Sequence, residues 1–193
     1  MQNMSAETQE HPEDLAIRPL RVREYEMLAE AGAFDNEKVE LLYGRIVPMR
    51  PQGSEHAYSV ARLNKVLVIA LGDHAAVRPQ LPFVASEYSM PEPDLCVVSE
   101  LSAEAHPERA LLVIEVSFSS LKLDRNLKSR LYAEAKIPEY WVVDVGNAEV
   151  IVHQDPGKRG YRRVEHVGRE SVLVPVELPM VKVVVADVLP PAG

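Results

Sequence analysis

In Leu111-Leu112-Val113-Ile114-Glu115-Val116 an ionisable residue interrupts a run that otherwise reads as a strand buried on both faces. Removing water from an ion costs several kcal/mol even after relaxation, so a buried Glu115 requires a partner. A second carboxylate, Asp94, opens the apolar run Leu95-Cys96-Val97-Val98 directly after Pro91-Glu92-Pro93, and 115 − 94 = 21 residues separate the two acids. If the runs are neighbouring strands, the two side chains meet near one end of the sheet. At about 4 Å they would repel by ~4 kcal/mol at an effective dielectric of 20, which calls for a cation or a shared proton.

The elements that must position this pair follow from periodicity. Alternation puts Glu115 and Ser117 on one face of their strand, and Leu112, Ile114 and Val116 on the other. A helix is expected from about Lys122 to Lys136, ending before Ile137-Pro138. On it Asp124, Lys128 and Tyr132 recur at i, i+4, i+8 beside the apolar stripe Leu127, Leu131 and Ala135. A strand over 139–145 then completes a βαβ-like unit, which favours parallel pairing. Upstream, the spacing predicts a short helix over 21–31, a hairpin around Tyr43-Gly44 with Glu40 on its first strand, and a long helix capped by Ser54. That helix carries Val60, Leu63, Leu67 and Leu71 on one face and His56 in its first turn. A further strand or pair of strands is expected over 77–86, where Pro79 and Pro82 suggest an edge or a bulge. Downstream, a hairpin is expected around Asp155-Pro156-Gly157, and 172–174 and 181–185 are expected to finish the sheet.

With 193 residues, 47% of them hydrophobic and 26% charged, the chain suits one domain with a sizeable core. The expected division is a flexible polar tail over 1–19 followed by a single domain over 20–193. Cys96 is the sole cysteine, so no internal disulfide forms, which fits a cytoplasmic location and a buried, inert thiol. The longest apolar run, Val66 to Leu71, is too short to span a bilayer, and no membrane partner is expected. A net charge of −8 argues at first against nucleic acid. Its distribution softens the objection. Residues 1–40 carry ten acids and four Lys or Arg, whereas 122–136 has five basic residues against two acids and 157–169 five against one. Solvated surface charge is the plainer account of both basic segments.

Glu115-Val116-Ser117-Phe118-Ser119-Ser120-Leu121, then Asp124-Arg125, Lys128, Leu131-Tyr132-Ala133 and Ile137-Pro138-Glu139-Tyr140-Trp141-Val142-Val143-Asp144, resembles the Uma-two family of restriction-endonuclease-like proteins. Glu40-Leu41, Gly44, His56 and Pro93-Asp94 also fall at family-like positions. That family is placed in the PD-(D/E)XK nuclease superfamily. The resemblance implies an α/β fold with a restriction-endonuclease-like mixed, twisted sheet flanked by helices. It also implies a metal-dependent endonuclease hydrolysing nucleic-acid phosphodiester bonds, DNA foremost, and a homodimer suits symmetric cutting of two strands. Asp94 and Glu115 would be the motif acids and, with the Val116 carbonyl, would hold Mg²⁺ or Mn²⁺. The lysine expected two residues after the second acid is replaced by Ser117, and Lys128 on the helix would stand in for it. Tyr43 and Lys136 depart from the family, which often has aspartate and glycine there.

Mg²⁺ takes oxygen ligands and is often held by one or two carboxylates plus substrate phosphate, which is the set Asp94 and Glu115 offer. The ammonium of Lys128 would orient water or neutralise developing charge. Glu40, His56, Ser117, Asp124 and Tyr132 are accessory candidates. On residue types alone the plainer readings stay open: a salt bridge for Glu115, a strand start for Asp94, a solvated lysine at 128, packing for Tyr132. No histidine spacing suits zinc, and no G-x-S-x-G surrounds the serines. A glycosidase carboxylate pair would leave Lys128 without a role. The main rival is a non-catalytic nucleic-acid- or protein-binding module on a nuclease-like fold. Replacing Lys128 by Met is expected to spare the fold and metal binding.

Overall fold

The computed structural model describes residues 17–117 and 123–191. The tail expected over 1–19 lies, as far as residue 16, outside the described residues, as does the start of the helix expected from Lys122. In chain order the elements are α1 (Val22–Glu30), β1 (Val39–Leu42), β2 (Arg45–Pro48), α2 (Ser54–Leu71), β3 (Ala76–Pro79), β4 (Leu95–Val98) and β5 (Leu112–Ser117). A π-helical turn, Asp124–Lys128, runs directly into α3 (Ser129–Glu134). Then follow β6 (Glu139–Asp144), β7 (Glu149–Gly157), β8 (Gly160–Gly168), β9 (Val172–Leu173), β10 (Val183–Val184) and α4 (Val185–Val188).

The centre is a mixed, twisted six-stranded sheet in the order β3-β4-β5-β6-β7-β8, flanked by helices. The β5–β6 pair is parallel and every other pair antiparallel. Strict alternation divides its side chains between two cores. Leu95, Val97, Leu112, Ile114, Val116, Trp141 and Val143 pack with Leu63, Leu67 and Leu71 of α2 and with buried residues of 173–189. On the opposite face Cys96, Val113, Tyr140, Val142 and Ile151 pack with Tyr132 and Ile137. Leu63, Leu67 and Leu71 are fully buried, each contributing on the order of 1.5–3 kcal/mol, which fixes α2 against the sheet. A third cluster joins Val22 and Tyr25 of α1 to Val39, Leu41 and Met90, and so docks the β1–β2 hairpin.

Three details differ from the sequence reading. The N-cap of α2 is Gly53 with no side-chain cap bond, and Ser54 is the first helical residue. The β7–β8 strands continue through Asp155-Pro156-Gly157, with the turn at 158–159. Pro156 lies beyond the register of β6, which ends at Gln154, so its missing N–H interrupts no ladder on that side. Strands β9 and β10 pair with each other in a separate two-stranded sheet and do not extend the central one. Pro79 does end an edge strand, as the missing donor requires.

The two family departures both fall in left-handed backbone. Tyr43 (φ +50°) and Gly44 (φ +73°) have positive φ at both central positions of the β1–β2 turn, the geometry that favours Asn or Asp followed by Gly. A Cβ on Gly44 would clash with Pro19, so glycine is required there. Lys136 (φ +60°) follows α3 in a Schellman arrangement: Ile137 N–H donates to Tyr132 O and Lys136 N–H to Ala133 O, both at 3.0 Å.

Candidate active site

Asp94 immediately precedes β4, and Glu115 lies near the C-terminal end of β5. Because β4 and β5 are antiparallel, with Leu95 opposite Ile114, these positions fall at the same end of the sheet. Asp94 Oδ2 accepts the Val116 N–H at 2.8 Å, which ties the first acid to the residue after the second. The N-terminus of α2 approaches from the other core, and His56 Nε2 lies 3.0 Å from the same Oδ2. His56 Nδ1 is buried without a partner. Glu115 Oε1 accepts from Lys128 Nζ at 2.9 Å and from the Tyr132 hydroxyl at 3.0 Å. Lys128 Nζ also lies 3.1 Å from Glu40 Oε2. One cavity of about 760 Å³ is lined by Glu40, His56, Asp94, Glu115, Asp124 and Lys128.

The i, i+4, i+8 stripe is therefore delivered by a backbone that is not uniformly α-helical. Asp124 and Lys128 belong to the i→i+5 turn, a feature common at functional sites, and both are buried. Asp124 lines the cavity, while its carbonyl accepts from the Tyr140 hydroxyl at 3.2 Å. Tyr132, fully buried beside Phe83 and Tyr140, is packing and hydrogen-bond donor at once. Ser117 is buried at the end of β5, where its carbonyl accepts the Val145 N–H at 3.0 Å.

Glu40, Asp94, Glu115 and Asp124 are four carboxylates around one ammonium, and none of the five residues is more than 5% exposed. Burial raises the Glu115 pKa well above the usual carboxylate range; Lys128 pulls it down, and Asp94, Asp124 and Glu40 push it further up. For Lys128 burial acts downward, yet Glu115, Glu40 and Asp124 outweigh it, so its pKa stands above that of an ordinary lysine. Both directions have one origin. The carboxylates crowd one another more than the single ammonium offsets, and each shift follows from that imbalance. Among the described residues no group of three or more His, Cys, Asp or Glu is disposed to hold a metal ion.

Sequence pattern did not single out Gln52 or Gln80. Gln80 has φ +49° and donates its amide to Gln52 Oε1 at 2.8 Å, while Gln52 Nε2 lies 3.4 Å from Asp94 Oδ1. No periodicity marks either residue; Pro51 and Gly53 around Gln52 signal only a loop. Within the locally basic segments three side chains form exposed ion pairs: Arg130 with Glu134, Arg162 with Asp155 and Arg163 with Glu165. Cys96 is buried, and burial pushes its thiol up to about 12. Among the described residues no helix is long and apolar enough to cross a membrane.

The mixed sheet with its flanking helices defines a restriction-endonuclease-like α/β fold. The chain belongs to the Uma2 family, whose model, described as "Putative restriction endonuclease", matches residues 22–186. A solved structure described as "a putative nuclease belonging to DUF820 from Anabaena variabilis" superposes with a TM-score of 0.68 at 15% identity, covering 88% of this chain and 97% of the other. At that identity the likeness establishes the fold alone. No curated protein matches the chain.

Proposed function

We propose that the chain is a divalent-metal-dependent endonuclease that hydrolyses phosphodiester bonds in nucleic acid, DNA foremost. The observation that carries this reading is the convergence of Asp94, Glu115 and Lys128 on one cavity, with buried carboxylates outnumbering the ammonium. Family membership supports it. The donor set fits Mg²⁺ or Mn²⁺, because hard carboxylate oxygens with excess negative charge stand beside a space large enough for a phosphate. Asp94, Glu115 and the Val116 carbonyl would hold the ion. When bound, such an ion polarises a phosphate oxygen and lowers the pKa of a water.

The chain's own groups do the rest. The Val116 N–H and His56 address Asp94 Oδ2 and fix that carboxylate, while Tyr132 fixes Glu115. Lys128 stays protonated, and its ammonium orients the attacking water or offsets charge developing on the phosphoryl oxygens. Asp124, Glu40 and Ser117 are accessory. Residues 20–193 act as one nuclease-like domain behind a polar tail, in the reducing cytoplasm that the lone Cys96 suits. Two copies about a two-fold axis would present two sites to two strands; light scattering at twice 21.5 kDa checks the dimer.

The second reading, a module that binds nucleic acid or protein without cutting, draws on the pairing of Lys128 with both Glu40 and Glu115, which satisfies those ions internally. Incubation with plasmid, single-stranded DNA and RNA in Mg²⁺ or Mn²⁺ separates the two. Cleavage is expected in the wild type, and Asp94→Asn and Glu115→Gln are expected to weaken Mn²⁺ binding ~10-fold or more and to stop cutting. Lys128→Met should lower cleavage by about 10²-fold or more. A wild type that neither binds Mn²⁺ nor cuts any of the three substrates gives the lead to the binding module.

A further inference from the structure

We infer that Glu40 is the positioning residue for Lys128, holding its ammonium beside Glu115 while that carboxylate serves a cation, and that Glu40 is not a ligand of the cation. The inference rests on the function proposed above. Lys128 has two carboxylate partners in different surroundings. Glu115 belongs to the central sheet, next to Asp94, and its Oε1 also receives Tyr132. Glu40 belongs to the separate β1–β2 hairpin, and its Oε2 receives the Glu92 N–H at 3.3 Å as well as the ammonium at 3.1 Å. That oxygen is thus turned toward the lysine and the 91–93 backbone.

The hairpin is a firm support for such a hold. Val39 and Leu41, on either side of Glu40, are buried against α1 and Met90. Leu41 and Met90 exchange backbone hydrogen bonds at 3.3 and 2.7 Å, and Gly44 N–H donates to Tyr88 O. Glu40 is therefore held from outside the central sheet, by α1 and by the 88–92 backbone that leads into Asp94. A carboxylate that gives its charge to a divalent ion offers less to an ammonium, and the ion repels the ammonium directly. A lysine on a flexible four-carbon stem that lacked the Glu40 carboxylate would then be held less firmly beside Glu115. The second carboxylate opposes both effects. Glu92, half-buried beside Glu40, adds negative charge on the same side, and burial raises its own pKa.

The test titrates Mn²⁺ into the wild type, Glu40→Gln, Glu115→Gln, Lys128→Met and the Glu40→Gln/Lys128→Met double variant by calorimetry, and follows plasmid cleavage by the same proteins. Glu40→Gln should keep Mn²⁺ affinity within about threefold where Glu115→Gln loses ~10-fold or more, and should cut ~10-fold or more slowly. The double variant should cut no more slowly than Lys128→Met alone, since a positioning residue has nothing left to position. Loss of Mn²⁺ affinity in Glu40→Gln equal to that in Glu115→Gln makes Glu40 a ligand and overturns the inference. So does cleavage at the wild-type rate, or losses that multiply in the double variant. If Glu40→Gln does not fold by circular dichroism, Glu40→Asp, which keeps the charge but withdraws it by one methylene, is read against the same outcomes. A wild type that cuts nothing overturns the proposed nuclease activity, and this inference with it; an active wild type with an unaffected Glu40→Gln overturns the inference alone.

Discussion

Lys128 is the residue on which sequence and structure differ most in consequence. Read from the sequence, with the ammonium at the boundary between core and solvent, its replacement by methionine spares the fold because the aliphatic stem survives. The ammonium is in fact buried between Glu40 and Glu115. Removing one partner of such a group leaves buried charge uncompensated, so Lys128→Met should lose about 3–5 kcal/mol in metal-free urea unfolding at neutral pH. The deficit should depend on pH. A carboxyl whose folded pKa is raised, as that of Glu115 is, favours folding below its unfolded pKa, and loses that contribution as pH rises through the folded value. Without the ammonium Glu115 is raised further, so the gap between variant and wild type should be widest near pH 7 and close toward pH 4. A gap that widens on acidification would mean that Lys128 does not compensate those carboxylates. Wild-type Lys128 contributes with the same sign at the alkaline end: its raised pKa adds stability that is fully present below the unfolded lysine value and is lost as pH rises through the folded one.

At the scale of the element, what was legible and what was not divides by whether the signal is periodic. Glu115 and Asp94 announced themselves because each breaks or opens an apolar run, and strand alternation then placed Val113 and Ile114 on opposite cores. The long helix followed from Leu63, Leu67 and Leu71. The π-helical turn did not, since nothing in Asp124-Arg125-Asn126-Leu127-Lys128 distinguishes i→i+5 from i→i+4 bonding, though both Asp124 and Lys128 are buried in it. The Gln52–Gln80 contact depends on a positive φ at Gln80 that no residue type there advertises. Lys136 offers the direct test of such strain. A non-glycine residue in left-handed backbone costs roughly 1–2 kcal/mol, and Lys136→Gly should recover about 1 kcal/mol of it, raising Tm by ~2–4 °C with cleavage unchanged. An unchanged or lower Tm would show that the lysine side chain contributes more than the backbone strain costs.

For the whole molecule, the net charge of −8 and the acidic cavity set the terms of any encounter with nucleic acid. With some of the basic side chains paired to acids and the cavity itself acidic, cations bound at the site would add to any attraction for DNA. Wild-type protein should therefore retain a DNA duplex at least ~10-fold more tightly in Ca²⁺ than in EDTA, a difference of about 1.4 kcal/mol, and Asp94→Asn should abolish the gain. Gel retardation at fixed ionic strength reads this, and equal retention in both conditions would place the DNA contact elsewhere. The same large-scale view gives meaning to the clasp at the far end of β6. Buried Glu139 accepts the Trp141 indole N–H and, at 2.7 Å, the Val176 N–H, pinning the 174–180 segment to the strand that pairs with β5. Leu173, Leu178, Val181, Val183, Val185 and Val188 then close the core over α2. During synthesis the segment carrying Asp94, Glu115 and Lys128 leaves the ribosome while this cover is still unmade. One face of the sheet therefore stays open until residues 173–189 have followed and docked, so the site's carboxylates and lysine are made well before the core behind them can close.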